Sequence, residues 1–168
     1  VPEAPFFLFN LLSLCSLVYL GWYLSKRIPS TPKWLVYGWL LSAPWVLHYS
    51  TMVENPSYVL PAAILFFIGI WEIFPMYDVP LMQRKWAFYW LGFALFWVAQ
   101  LHLSWVLLLP YIGLAFVFEA RSGGRLGKAA LFFLLGCGTT ALTLAPTICQ
   151  RGCNLSNGTG SNVAIHPA

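Results

Sequence analysis

Charged residues are scarce in this chain of 168 residues: five are acidic, nine are basic, and together they make up 8%. Soluble domains carry about 25% charged residues. Here 60% of the residues are hydrophobic and the mean hydropathy is +0.72. So little charge excludes an ordinary soluble domain. The composition predicts an all-α protein, a polytopic bundle of transmembrane helices whose main partner is the lipid bilayer.

Several motifs of common enzyme classes are also missing. The sequence contains no glycine-rich phosphate loop, no HExxH motif and no paired CxxC. The net charge is +4, but basic residues in a membrane protein mostly set its orientation. The charge therefore gives no reason to expect a nucleic-acid partner.

Long apolar runs predict where the chain crosses the membrane. They cover residues 5–24, 34–48, 58–74, 86–118 and 129–148. As a single helix the fourth run would be about 50 Å long, against a hydrocarbon core of about 30 Å. Its polar interruption consists of Gln100, His102 and Ser104. We therefore predict two spans there, 86–99 and 105–118, joined by a turn, which gives about six spans in total.

Basic residues are divided unevenly between the predicted loops. Eight lie in the first, third and fifth connections: Lys26, Arg27, Lys33, Arg84, Lys85, Arg121, Arg125 and Lys128. The other side holds Arg151 alone. Because cytoplasmic loops carry an excess of Lys and Arg, both termini are predicted to be extracytoplasmic. Residues 1–148 then form a transmembrane domain, and residues 149–168 form an outer tail or the start of a next loop.

Polar residues gather on the predicted outer face: His48, Tyr49, Ser50, Glu54, Asn55, Gln100, His102 and Ser104. Six of them are the candidate site residues: His48, Tyr49, Glu54, Asn55, Gln100 and His102. Ionisable groups in membrane spans usually mark functional sites, although this cluster is shallow. Each residue also has a structural interpretation. His102 and Asn55 are suited to capping helix ends, and Glu54 is either a general base or a solvated loop residue. On the cytoplasmic face, Glu72 and Glu119 are expected to be ordinary interfacial residues beside the basic loops.

Cysteines give no sign of a metal site. Cys15 and Cys137 lie within predicted spans, as packing residues. Cys149 and Cys153 share the tail, where an oxidising compartment would allow a disulfide. Their spacing matches no metal-binding signature, and the sequence leaves the disulfide open.

Two segments resemble a known family. SAPWVLHYSTMVENPSYVLP contains Pro44, Tyr49 with Ser50, and an Asn-Pro-Ser that begins at Asn55. AQLHLSWVLLLP contains a Gln-Leu-His that begins at Gln100. Both are similar to segments of bacterial polytopic glycosyltransferases that use polyprenyl-phosphate sugars, the group that includes protein mannosyltransferases and aminoarabinose transferases. The resemblance extends over residues 5–148 in hydropathy and order.

The resemblance implies an enzyme of the bacterial inner membrane that moves a sugar from a polyprenyl-phosphate carrier to an extracytoplasmic acceptor. In that family a catalytic carboxylate lies in a long outer loop ahead of a helix that residues 5–24 resemble. The chain begins at Val1, and we expect it to be a segment of a longer protein with that loop upstream. The catalytic residue is thus unassigned, and a divalent metal in the full-length enzyme stays open. The implied contacts to the carrier or sugar are His48, Tyr49, Glu54, Asn55, Gln100 and His102.

Two other interpretations of the sequence stay open: a transporter or flippase fragment, and a membrane scaffold without catalysis. A transporter is expected to carry polar groups or helix interruptions near mid-membrane. The predicted spans contain Gly92, Gly136 and Gly138 but no acid or base at mid-span. This pattern disfavours ion-coupled transport.

Overall fold

The computed structural model describes residues 4–44, 58–74 and 79–145, with side chains from residue 8 onward. Within these ranges the chain is helical and contains no strand. The helices are α1 Ala4–Arg27, α2 Lys33–Ser42, α3 Leu60–Ile73, α4 Arg84–Leu101, α5 Leu109–Arg121 and α6 Leu126–Ala141, with 3₁₀ segments at Leu103–Leu108 and Leu142–Leu144. The prediction of an all-α fold is confirmed for this part of the chain.

Three helical segments are long and apolar enough to cross a membrane: Leu8–Arg27, Leu103–Arg121 and Leu126–Leu144. They correspond to the first, fifth and sixth predicted spans and indicate a membrane protein. The helices α2 and α3 contain 10 and 14 residues, so they are only about 15 and 21 Å long. Helix length and apolar composition together support three spans among the described residues, and the count of six goes beyond them.

The outer surface of these helices is apolar. Leu103 is 78% exposed and Leu107 is 71% exposed, and large apolar side chains are also exposed along α1 and α6. Water-soluble monomers rarely expose continuous apolar patches larger than a few hundred Å². This exterior is suited to contact with lipid chains.

The long apolar run breaks at His102, as the sequence predicts. Helix α4 ends at Leu101, His102 is extended (φ −154°, ψ 144°), and the following 3₁₀ segment leads into α5. After the break, α5 runs back along α4. The distance of 5.0 Å between the rings of Phe88 on α4 and Phe116 on α5 shows this. The prediction of two helices with a turn near His102 is confirmed, with boundaries shifted by two to four residues.

Side-chain contacts with residues of other helices fix the direction of the remaining helices. Trp97 near the end of α4 donates a hydrogen bond to the Tyr58 carbonyl ahead of α3 (3.0 Å). Phe9 near the start of α1 also meets Tyr58, with ring centroids 4.9 Å apart. Gln100 at the end of α4 contacts Thr140 at the end of α6. With the short connections after α1 and α5, these contacts make successive described helices alternate in direction.

The alternation creates two ends, to which we give names. The basic end contains Lys26, Arg27, Lys33, Arg84, Lys85, Arg121, Arg125 and Lys128. The Gln100 end contains Phe9, Tyr58, Gln100, His102 and Thr143. Every basic residue that the structure describes thus lies at one end of the bundle.

Helix α4 occupies the centre of the bundle. Ala87, Phe88, Leu91 and Ala94 are 0% exposed. Its backbone lies against α6, where a Cβ atom added at Gly92 would overlap the Phe133 carbonyl oxygen. Small residues allow such close helix contact in membranes. Neighbouring helices rather than lipid therefore surround much of α4, and its packing positions the residues at its end.

Candidate functional site

Two of the six predicted site residues lie in the described part of the chain. Gln100 and His102 are both at the Gln100 end, one on each side of the last residue of α4. His48, Tyr49, Glu54 and Asn55 lie outside the described residues, so their roles stay predictions.

His102 has the geometry of a helix cap. Its Nδ1 accepts a hydrogen bond from the backbone N–H of Ser104 (3.1 Å) at the start of the 3₁₀ segment. Because Nδ1 accepts, the neutral ring carries its proton on Nε2. The side chain is exposed. The capping interpretation therefore describes the local geometry, and a role for His102 in binding stays a prediction.

Gln100 lies in a cavity of about 360 Å³ at the Gln100 end. The helices α1, α4 and α6 supply most of its wall, and Tyr58 closes it ahead of α3. The lining residues are Phe9, Tyr58, Trp97, Gln100, Leu101, Thr140 and Thr143. The wall is mainly apolar and aromatic, with a few polar groups from α4 and α6. Ligand sites in proteins commonly have this composition.

Hydrogen bonds to the end of α6 and to the 3₁₀ segment after it hold the Gln100 amide in place. Its Nε2 donates to the Thr140 carbonyl (3.0 Å), and its Oε1 lies 3.0 Å from the Thr143 hydroxyl. That hydroxyl also lies 2.6 Å from the Thr140 carbonyl, so the two acceptors share its single proton. A primary amide has two donor hydrogens and two acceptor lone pairs. Gln100 thus keeps one of each for a ligand while its orientation is fixed.

Aromatic rings make the opposite wall rigid. The Phe9 ring meets Tyr58 at 4.9 Å and Trp97 edge-on at 6.4 Å. Phe93, one turn earlier on α4, lies 5.5 Å from Trp97. Because the Trp97 indole also donates to the Tyr58 carbonyl, its ring is fixed at both edges. The wall therefore presents aromatic faces that can contact an apolar chain, and the oriented Gln100 amide lies beside them.

The cavity holds no described acid or base. The two carboxylates in the described part of the chain, Glu72 and Glu119, are both at the basic end. Within the same ranges, no three His, Cys, Asp or Glu residues are placed to hold a metal ion. The described residues can therefore bind and orient an amphipathic ligand here, but they supply no group to deprotonate an acceptor.

The sequence interpretation identified Gln100 but missed its neighbours Trp97, Thr140 and Thr143. A signal was present, because both pairs, Trp97 with Gln100 and Thr140 with Thr143, have a spacing of three residues. Residues three apart share a helix face. Nothing in the sequence showed that these two faces meet.

A second polar cluster, at the basic end, surrounds the buried carboxylate of Glu72. Glu72 Oε1 accepts hydrogen bonds from the Tyr23 hydroxyl (2.6 Å) and from Arg27. Its Oε2 accepts from the backbone N–H groups of Leu81 (2.9 Å) and Met82 (3.1 Å). Glu72 lies at the basic end, as expected, but its side chain is 0% exposed, which the sequence did not indicate. With four donors on its carboxylate, Glu72 ties α1, α3 and the connection before α4 together.

Comparison of the chain with protein-family models, curated proteins and solved structures gave no match. The glycosyltransferase resemblance therefore rests on the two sequence motifs, one of which contains the oriented Gln100.

Proposed function

We propose that this chain is the membrane-embedded helical part of a glycosyltransferase that takes a sugar from a polyprenyl-phosphate carrier on the extracytoplasmic side. The observation that carries the proposal is the cavity at the Gln100 end. Its aromatic wall is suited to isoprenoid units, and the fixed Gln100 amide can hydrogen-bond to a phosphate or a sugar hydroxyl. Gln100 also begins the Gln-Leu-His of the family-like motif.

The proposal includes a membrane arrangement: six spans in the bacterial inner membrane, with both termini extracytoplasmic. Two observations support it. The described helices alternate in direction, and their Lys and Arg residues gather at the end opposite Gln100. Since cytoplasmic loops are enriched in Lys and Arg, the basic end would face the cytoplasm. The Gln100 cavity would then open where lipid-linked sugars are consumed.

The proposed reaction is a group transfer at the anomeric carbon of the sugar. An acceptor hydroxyl or amine attacks that carbon, and the bond between the carbon and the carrier phosphate oxygen breaks. The carrier leaves as polyprenyl phosphate, and the acceptor proton passes to a carboxylate that serves as general base. The described Gln100 cavity contributes binding and orientation to this reaction, and the base comes from another part of the protein.

Gln100→Leu is expected to weaken binding of undecaprenyl phosphate to the purified protein by about tenfold, which is about 1.4 kcal/mol. Leucine keeps much of the side-chain volume but removes the amide that would contact the phosphate. A hydrogen bond to a charged group contributes about 1.5–3 kcal/mol. Equilibrium binding in phosphatidylcholine nanodiscs measures the difference, with radiolabelled undecaprenyl phosphate as the probe.

Thr139→Val is the matched control for this experiment. The Thr139 hydroxyl bonds to the Leu135 carbonyl of its own helix (2.8 Å) and to the Tyr89 hydroxyl (3.0 Å), away from the cavity. Its loss is expected to leave the affinity unchanged, whereas Thr143→Val removes a partner of Gln100 and should weaken binding. Parent-like affinity in Gln100→Leu would refute the cavity assignment. A parent protein that does not bind undecaprenyl phosphate at all would instead favour the scaffold interpretation.

A further inference from the structure

A second cavity, of about 260 Å³, lies at the basic end between the first turns of α4 and α6. Its polar lining consists of Gln83, Arg84, Lys85, Glu119, Arg125 and Lys128. Four of these side chains are cationic and one is anionic. The cavity is therefore strongly positive, and it lies at the same end of the bundle as the other basic residues.

The single carboxylate does not neutralise this charge. Glu119 pairs with Arg84 (3.3 Å), which also donates to the Ser122 hydroxyl (3.1 Å). Within the part of the chain that the structure describes, neither Arg125 nor Lys128 has an ion-pair partner. Like charges held around one cavity repel each other, and a bound anion would relieve that repulsion.

The positions of the cations are partly fixed before any ligand arrives. Lys85 Nζ lies 5.7 Å from the centre of the Trp86 ring and 5.8 Å from that of Phe132. Arg84 is held by Glu119 and lies over the Phe118 ring at 5.6 Å. Side chains that are already ordered lose less entropy when they bind. Two of the four cations are therefore held in place at the cavity before a ligand binds.

Backbone N–H groups add to the positive electrostatic potential of the cavity. Helices α4 and α6 both begin at this cavity, and neither has a side-chain hydrogen bond capping its start. The first N–H groups of a helix have no partner within the helix and carry partial positive charge. Two such starts, together with four cations, favour a compact group with several acceptor oxygens.

We propose that this cavity binds a phosphate group. Phosphate offers charge and several oxygens to the guanidinium and ammonium donors, and a cavity of this volume accommodates it. The phosphate comes either from an anionic phospholipid headgroup or from solution. Basic pockets between membrane helices on the cytoplasmic side are suited to lipid headgroups. The proposal does not rest on the transferase function, because it concerns other residues at the other end of the bundle.

The test compares two double variants of the whole chain with the same loss of charge. Arg125→Gln with Lys128→Gln removes two cations of the cavity. The matched control, Lys26→Gln with Lys33→Gln, removes two exposed cations at the same end but outside the cavity. Nanodiscs of phosphatidylcholine with phosphatidylglycerol supply the lipid probe, and native mass spectrometry counts the retained lipid. Inorganic phosphate in pure phosphatidylcholine nanodiscs is the soluble probe, measured by calorimetry.

We expect the parent protein to retain phosphatidylglycerol in preference to phosphatidylcholine, and the cavity variant to lose this preference by about tenfold or more, because it removes two cations that can donate charge-assisted hydrogen bonds to the phosphate in the cavity. The control should change less than twofold. If inorganic phosphate binds to the parent protein and displaces the lipid, soluble phosphate is the source; if it does not bind, the headgroup is. The proposal is overturned if the parent binds neither probe, or if both double variants reduce binding equally.

Discussion

Gly136→Ala is expected to lower the melting temperature of the purified protein by roughly 6–12 °C, a loss of about 3 kcal/mol at this chain length. A Cβ atom at Gly136 would overlap the Tyr89 carbonyl oxygen and lie 2.7 Å from the Phe93 nitrogen. Both are backbone atoms of α4, so no side-chain rotation can make room. The two helices must separate, although α4 also packs against α3 and α5. Overpacked cores lose about 1–3 kcal/mol or more.

Gly138→Ala supplies the control, on the same helix two residues later. A Cβ atom there meets nothing within 4 Å, and alanine is the better helix former by about 1 kcal/mol. Its melting temperature should equal or exceed that of the parent. Thermal unfolding in one detergent, followed by size-exclusion chromatography, compares the two variants. Equal stability in both would mean that α4 and α6 do not make this close contact.

Arg27→Met is expected to destabilise the protein by about 3–5 kcal/mol, because it leaves the buried Glu72 carboxylate without its cationic partner. The Arg27 and Glu72 side chains are 6% and 0% exposed, so water cannot replace the lost interaction. Glu72→Leu should cost a similar amount, since it removes the carboxylate partner of Arg27 and the acceptor of the Leu81 and Met82 backbone N–H groups.

A double-mutant cycle separates the coupling energy between Arg27 and Glu72 from the other destabilising effects of each substitution. Arg27→Met with Glu72→Leu should lose clearly less stability than the sum of the single variants, because neither charge is then left alone. Arg84→Met is the comparison at a more exposed pair, where Arg84 is 43% exposed, and about 1 kcal/mol or less is expected. If the loss of stability in the double variant equals the sum of the two single losses, Arg27 and Glu72 are not energetically coupled, and this account of the cluster is contradicted.

Hydropathy was enough to predict the lipid-facing helices and the break at His102. Bilayer thickness limits the length of a span, and the polar residues from Gln100 to Ser104 offered the place to turn. Hydropathy could not predict that α4 is central, because a helix surrounded by other helices is as apolar as one surrounded by lipid. Gly92 and Gly136 were visible in the sequence, but their partner surfaces depend on which helices meet.

The candidate site could be predicted only in part for the same reason. Gln100 stood out as a polar residue in an apolar run. Tyr58, Trp97 and Thr143 join it only through the packing of α3, α4 and α6, which no local pattern encodes. Glu72 was expected beside the basic loops, but its burial could not be predicted, because the contacts that bury it come from α1 and from the connection before α4.

The opposite placement of the basic end and the Gln100 end across the membrane is tested most directly by thiol labelling. In a variant with all four native cysteines replaced, single cysteines are introduced as Ser104→Cys, beside the Gln100 end, and Ser122→Cys, at the basic end. Serine and cysteine are similar in size, so both substitutions should be tolerated. A membrane-impermeant maleimide is added to intact cells, and again after the membrane is opened.

The proposed arrangement predicts that Ser104→Cys is labelled in intact cells, and that Ser122→Cys is labelled only after the membrane is opened. The Gln100 cavity would then face the extracytoplasmic side, where a lipid-linked sugar could reach it. Labelling of Ser122→Cys in intact cells, with Ser104→Cys protected until the membrane is opened, would contradict both the orientation and the proposed function.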